Sequence, residues 1–86
     1  MADHAFIVVP FERNGITIGP RQALMFEKVA QARYVAAQIA PRVSGVAILE
    51  REIDPETGAD KDTLIAGIGA VPPCFPDGGD WTLRLN

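Results

Sequence analysis

The chain has 86 residues, of which 48% are hydrophobic and 22% charged, and its net charge is −3. This length fits one domain, and the composition is that of a globular protein rather than of a disordered segment. The negative balance argues against nucleic-acid binding, for which a basic patch is expected, and no apolar run approaches the ~18 residues that a membrane span needs. We therefore expect neither nucleic acid nor a membrane among its partners.

The cysteine content and the first residues bear on the compartment. Cys74 is the single cysteine, so the chain has neither an intrachain disulfide nor a pair of thiolates for a metal. The N-terminal residues lack the basic flank and the apolar core of a secretory signal. Both observations predict a cytoplasmic location, with Cys74 as a small apolar residue rather than a reactive thiol.

The N-terminal segment predicts a strand and a hairpin. Residues 5–9 are rich in β-branched and aromatic side chains, and their apolar character at both parities indicates an inner strand that is covered on both faces. Asn14-Gly15 is a hairpin signal because both residues tolerate a positive φ. Residues 16–18 then return as a short second arm, which Gly19-Pro20 ends.

A helix is predicted next, because residues 26–40 contain no Gly or Pro and are rich in alanine. Its start is open between Arg21 and Phe26, since no Ser, Thr, Asp or Asn caps it. Pro41 ends it, since the residue before a proline avoids helical backbone angles. Spacings of three and four residues predict the buried stripe: Met25, Val29, Ala32, Ala36, Ile39 and Ala40.

The following segment predicts an antiparallel hairpin of residues 43–53 and residues 63–71. Residues 54–58 between them have turn chemistry: an Asp that bonds its own backbone, a Pro with a preset φ and a Gly for positive φ. Gly67 and Gly69 leave one face of the second strand bare, so a neighbouring segment can pack closely there. Alternation places four side chains on its other face: Leu64, Ala66, Ile68 and Ala70.

The C-terminal segment is rich in proline and glycine. Residues 72–80 predict loop or extended structure, and residues 81–85 either form an edge strand, as their alternation suggests, or a mobile end. We predict one domain over residues 1–86, with a core of about residues 5–72 and a tail of residues 73–86.

The acidic hairpin has the oxygen-rich composition of a calcium site. Six acids lie within 13 residues: Glu50, Glu52, Asp54, Glu56, Asp60 and Asp62. A helix-loop-helix calcium loop needs an acid at its fifth position, Gly at its sixth and Glu at its twelfth. Counted from the acid at position 54, the chain has Gly58, Ala59 and Ile65 there. We interpret the segment as a solvated hairpin tip.

The remaining candidate sites are also weak. Gly67-Ile68-Gly69 lacks the third glycine and the helix of a dinucleotide fingerprint. His4 is the single histidine and is expected to lie in a frayed N-terminus, where a metal role would need partners that the chain does not supply. Glu50 and Glu52 share one face of a strand, ~7 Å apart, which suits hydrolytic chemistry but is common on solvated strands. We therefore predict no catalytic, cofactor-binding or metal-binding residues.

Three segments and one loop carry turn and packing motifs. The segments are Val9-Pro10-Phe11-Glu12-Arg13, then Ser44-Gly45-Val46-Ala47 leading to Arg51-Glu52-Ile53-Asp54-Pro55-Glu56-Thr57-Gly58, and finally Ala66-Gly67-Ile68-Gly69-Ala70-Val71-Pro72. Together with a Gly-Pro loop before an alanine-rich helix, they resemble a group of short hypothetical bacterial proteins. The similarity spans residues 5–73 and leaves the Trp81 tail uncovered. The group has no established activity, so the resemblance implies no functional residue.

These elements predict an α+β fold in the order strand–helix–strand–strand, with one helix on one face of a mixed sheet of three to four strands. The strand before the helix and the strand after it are joined by a right-handed crossover if they are parallel. The other face of the sheet is expected to be partly open. It is covered either by a second copy of the chain or by a tail that folds back with Phe75, Trp81, Leu83 and Leu85.

Three classes of function remain open. The first is an interaction or accessory module that acts as a homodimer or binds an unidentified protein. It is favoured by the open face of the sheet and by an asymmetry of charge along the chain. Residues 1–49 carry five basic and three acidic side chains, whereas residues 50–86 carry three basic and eight acidic side chains. The second is a sensor domain for a small molecule or a peptide. The third is a small enzyme with a site in a dimer cleft, a class that the lack of a catalytic motif disfavours.

Overall fold

The computed structural model of the chain describes residues 3–72, 75–76 and 83–84. Within them the elements are β1 (Asp3–Asn14), β2 (Thr17–Pro20), β3 (Leu24–Phe26), α1 (Val29–Ile39), a 3-10 turn (Ala40–Arg42), β4 (Gly45–Ile53), β5 (Asp60–Gly69) and β6 (Leu83–Arg84). The α+β class is confirmed. The interpretation of Cys74, the loop predicted at residues 77–80 and the position of Trp81 lie outside the described residues.

Every pairing between the described strands is antiparallel, so the predicted mixed sheet is wrong. The strand order is β5–β4–β1–β2–β6, and β3 also pairs with β1. β2 faces residues 11–14 of β1 and β3 faces residues 6–8, both on the edge of β1 that β4 leaves free. Since β3 and β4 are both antiparallel to β1, they run in the same direction, and α1 crosses β1 to join them.

The first hairpin is confirmed, with its turn one residue later than predicted. Asn14 pairs with Thr17, so the loop is Gly15-Ile16. Gly15 alone takes a positive φ here, of 64°. The Thr17 hydroxyl donates a hydrogen bond of 2.9 Å to the Asn14 carbonyl and holds the turn. β2 continues the sheet by pairing with Leu83–Arg84, which confirms an edge strand at these two positions of the tail.

The helix starts at Val29, later than the predicted range from Arg21 to Phe26. Residues 24–26 form β3 instead, because their backbone pairs with residues 6–8 of β1 and this tertiary pairing overrides helix propensity. Lys28 occupies the N-cap position and makes no side-chain cap hydrogen bond. The lack of an N-cap residue in the sequence thus coincides with a direct transition from strand β3 to helix α1.

The buried stripe of α1 is confirmed at its centre. Ala32 and Ala36 are buried, and small side chains at these positions bring the helix close to the sheet. Met25 does not belong to the stripe, because it lies in β3 and is 62% exposed. The regular helix ends at Ile39, and Pro41 lies in the 3-10 turn that follows.

Two hydrophobic clusters lie on the two faces of the sheet, and consecutive residues of β1 alternate between them. The helix-side cluster consists of Val8, Ala32, Ala36, Val46 and Ile48. The cluster on the far side consists of Ile7, Val9, Phe11, Ile18, Ala47, Leu49 and Phe75. The predicted inner strand that is apolar on both faces is therefore confirmed.

The far face of the sheet is covered, which corrects the expectation that it is partly open. After β5 the chain turns so that Val71 and Phe75 pack on this face. Phe75 is 4% exposed, and its ring meets that of Phe11 edge-to-face, with centroids 5.1 Å apart and planes at 89°. The covering tail is thus borne out at Phe75, whereas the side chains at 81, 83 and 85 lie outside the described residues.

The second hairpin contains a β-bulge at Ile65, the extra residue between the pairs Ile48–Ala66 and Leu49–Leu64. A bulge shifts the alternation of every side chain beyond it. Leu64 therefore lies on the far face with Leu49, while Ala66 lies on the helix side with Ile48. The single face predicted for Leu64, Ala66, Ile68 and Ala70 is wrong for this reason.

The last pair of the β4–β5 ladder depends on glycine. A Cβ on Gly45 would lie 2.0 Å from the Ala70 carbonyl oxygen, and one on Gly69 would lie 2.5 Å from the carbonyl oxygen that precedes β4. Gly69 also has a φ of 72°. A Cβ on Gly67 would make only an ordinary contact of 3.7 Å with one side chain. The close approach predicted for the glycine face is therefore confirmed at Gly69 and not at Gly67.

Replacing Gly45 by alanine is expected to destabilise the protein by about 3 kcal/mol, the upper end of the cost of overpacking, because the atom it meets is backbone. Gly67→Ala is the matched control and should change the unfolding free energy by less than about 0.5 kcal/mol. Urea denaturation followed by circular dichroism measures both. Equal midpoints for the two variants would contradict the close contact.

Phe75→Ala is expected to lower the unfolding free energy by about 3 kcal/mol, because a buried aromatic ring and its contact with Phe11 are lost. The control is Tyr34→Ala, which removes an aromatic ring that is 67% exposed and should cost less than about 0.5 kcal/mol. Thermal unfolding compares the two variants. A Phe75 variant as stable as the Tyr34 variant would show that the tail does not cover the far face.

Candidate functional site

The acidic turn between β4 and β5 uses its polar groups for folding. The Asp54 carboxylate accepts a hydrogen bond of 2.9 Å from the Glu56 amide, and the Asp54 carbonyl accepts one of 2.7 Å from the Gly58 amide. The Thr57 hydroxyl accepts a bond of 3.2 Å from the Ala59 amide. Gly58 has a φ of 73°. The predicted turn, with an Asp that bonds its own backbone, is confirmed.

One acid of the hairpin is held by an arginine. Arg51 Nε donates to Asp62 Oδ1 over 2.8 Å and Arg51 Nη2 donates to Asp62 Oδ2 over 3.0 Å, which makes the pair bidentate. The hydrogen bond to Asp62 raises the pKa of Arg51 above its ordinary value. The two residues are direct partners in the β4–β5 ladder. The pair therefore ties the two strands together and engages both oxygens of Asp62.

Three side chains with metal-ligand chemistry meet on the helix-side face: His4, Glu50 and Glu52. His4 is paired directly with Glu52 in the β1–β4 ladder, and Glu50 lies two residues before Glu52 on the same face. His4 Nδ1 and Glu50 Oε1 form a hydrogen bond of 3.0 Å. An ionised carboxylate only accepts, so this bond requires the His4 tautomer with the proton on Nδ1. One donor atom from each side chain lies within 4.8 Å of the others, and no other such group of three converges in the described part of the chain.

This group was only partly visible in the sequence. The common face of Glu50 and Glu52 was predicted and is confirmed. The frayed terminus expected at His4 is wrong, because β1 extends back to Asp3 and carries His4 across from Glu52. His4 has the same parity as Phe6, which packs on the helix side, and this was the available signal. The register of β1 against β4, which joins residues more than 40 positions apart, was not predictable from local chemistry.

A second notable surface is the outer edge of β5. This strand has ten residues, lies at the end of the strand order, and pairs with no described strand on its outer side. Leu64 and Ile68 are 39% and 46% exposed along it. An edge of this kind presents unpaired backbone amides and carbonyls to a further strand.

A shallow depression of about 410 Å³ lies on the outer side of the helix. Its lining combines the end of β3 with one side of α1: Phe26, Ala30, Gln31, Tyr34 and Val35. The predicted sensor class would require an enclosing, mostly apolar pocket with a few convergent polar groups. No convergent charged side chain lines this depression.

No family model, no curated protein and no solved structure matches the chain. The resemblance to short hypothetical bacterial proteins therefore stays a prediction.

None of the helices in the described part of the chain is long and apolar enough to cross a membrane.

Proposed function

We propose that the protein is a small interaction module that forms a homodimer, and that two copies pair through the outer edges of their β5 strands. The observation that carries this proposal is the ten-residue β5 at the end of the sheet. Adding a strand to such an edge satisfies its backbone hydrogen bonds. A two-fold dimer is the commonest closed arrangement of identical chains.

The other surfaces support association less well. The sequence predicts self-association through the sheet face or the sheet edge that the helix does not cover, and the far face holds a buried cluster that includes Phe75. β3 and β6 also lie at the other side of the sheet, but within the described residues they comprise three and two positions. Only a few backbone hydrogen bonds would form on them. Of the two alternatives, the edge of β5 is therefore the basis of the proposed dimer.

The two halves of β5 differ in charge. Its start carries Asp60, Lys61 and Asp62, and charged side chains on an edge strand oppose pairing with another chain. The bulge at Ile65 also turns this half away from a straight partner. Residues 64–69 carry no charge, and the exposed Gly67, where an added Cβ would meet only one side-chain atom at 3.7 Å, leaves room for a second backbone. Two copies would therefore meet through residues 64–69.

Light scattering is expected to give twice the chain mass of 9.2 kDa at high micromolar concentration. Ile68→Lys should give a monomer, because near a two-fold axis the two lysines approach each other and like charges cost several kcal/mol, which weakens the dimer by about 100-fold or more. Tyr34→Lys, which places the same charge on the exposed side of α1, is the matched control and should leave the mass unchanged.

A wild-type mass equal to one chain up to near-millimolar concentration would contradict the dimer. A dimer that Ile68→Lys leaves intact and Tyr34→Lys dissociates would place the interface on the helix instead of the β5 edge.

A further inference from the structure

We propose that His4, Glu50 and Glu52 bind a divalent transition-metal ion on the helix-side face of the sheet. The proposal does not depend on the dimer, since the three side chains belong to β1 and β4 rather than to β5. It rests on the convergence of a nitrogen donor from β1 with two oxygen donors from β4, a strand that is distant from β1 in the sequence.

The ladder between β1 and β4 positions the donors. His4 and Glu52 are paired residues, and Glu50 is their neighbour on the same face. The Cβ atoms of paired residues in an antiparallel ladder lie ~5 Å apart. β4 pairs with β1 on one edge and with β5 on the other, so the backbone that carries both glutamates is fixed. Binding therefore requires adjustment of side-chain torsions and no movement of a loop.

The separations fit an ion such as zinc. Two ligands ~2.1 Å from a zinc ion in tetrahedral geometry lie ~3.4 Å from each other. His4 Nδ1 and Glu50 Oε1 are already 3.0 Å apart, so an ion can replace the proton between them with little movement. The Glu52 carboxylate, whose donor atom lies within 4.8 Å of the other two, has to approach by on the order of 1 Å at most.

The donor set selects the class of ion. Calcium and magnesium prefer oxygen ligands alone, whereas an imidazole nitrogen favours zinc and similar first-row ions. Two carboxylates balance the 2+ charge, and a neutral imidazole adds none. The side chains of His4 and Glu50 are 45% and 32% exposed, so water or an external ligand can complete the coordination. Three protein ligands with an open position are typical of zinc sites that bind or activate a small molecule.

Two features compete with a metal ion. The first is the hydrogen bond between His4 and Glu50, which by itself would tie β1 to β4. The second is Lys61, which is paired with Glu52 from β5, although no salt bridge joins these two in the part of the chain that is described. If His4, Glu50 and Glu52 only hold the strands together, removing either carboxylate should leave the metal affinity unchanged. If they bind a metal ion, removing either one should lower it.

The test is calorimetric titration of the full chain, first freed of metal with a chelator, with ZnCl₂. NMR of the imidazole protons follows the same titration, and their assignment is unambiguous because His4 is the single histidine. We expect one saturable site per chain and a shift of the His4 signals that is complete at one equivalent. Glu50→Gln and Glu52→Gln should each weaken zinc binding at least about tenfold, the smallest loss usual for even an outer partner of a metal ligand.

Glu12→Gln is the matched control, because Glu12 is also a partly exposed strand glutamate, here paired with Arg21, but lies ~27 Å from His4 along β1, well beyond the Debye length. It should change the zinc affinity less than about twofold. Absence of saturable zinc binding below ~1 mM would overturn the proposal. Binding that persists unchanged in Glu50→Gln and Glu52→Gln would also overturn it, as would equal affinity for Mg²⁺. Circular dichroism of the variants checks that these nearly isosteric changes retain the fold.

Discussion

The architecture depends on β1 having a partner on each edge and a hydrophobic cluster on each face. β4 pairs with it from Asp3 to Phe11, and β2 and β3 share its other edge. Val8 and Phe11 point to opposite faces, and both are 0% exposed. A strand buried in this way needs a cover on both sides, which α1 supplies on one and the returning tail with Phe75 supplies on the other. With β1 at the centre, the longest edge without a partner among the described strands falls on β5.

The parts of this fold that the sequence predicts are those that local chemistry decides. The turn at residues 54–58 follows from the backbone preferences of Asp, Pro and Gly, and the first hairpin follows from Gly15. Helix propensity and spacing locate the buried face at Ala32 and Ala36. The start of the helix was missed because residues 24–26 gain more from pairing with β1 than from helical hydrogen bonds. The antiparallel direction of all the strands was missed for a similar reason, because no single segment determines which other strand will pair with it.

The candidate metal site and the candidate interface differ in how far they could be foreseen. The sequence of β5 partly indicates an edge strand, because charged residues lie at its start and glycines at its end. The bulge at Ile65, which changes the face on which the following side chains lie, is defined only by the pairing of β5 with β4. The convergence of His4 with Glu50 depends wholly on the register between two distant strands. The alternation of side chains along a strand predicts that the two glutamates share one face of β4, but it does not predict which residue of β1 lies across from them. Side-chain chemistry was thus readable in the sequence, and its juxtaposition was not.

The central claim is that β1 and its clusters satisfy the interior of the sheet and leave residues 64–69 of β5 as the edge through which copies of the chain associate. Amide hydrogen exchange, measured at low and at high micromolar concentration, tests it most directly because it reports on each backbone group. The account predicts slow exchange in the centre of β1 at every concentration, together with protection at residues 64–69 that grows with concentration. Exchange at residues 64–69 that does not depend on concentration, or concentration-dependent protection that appears at β3 instead, would contradict it.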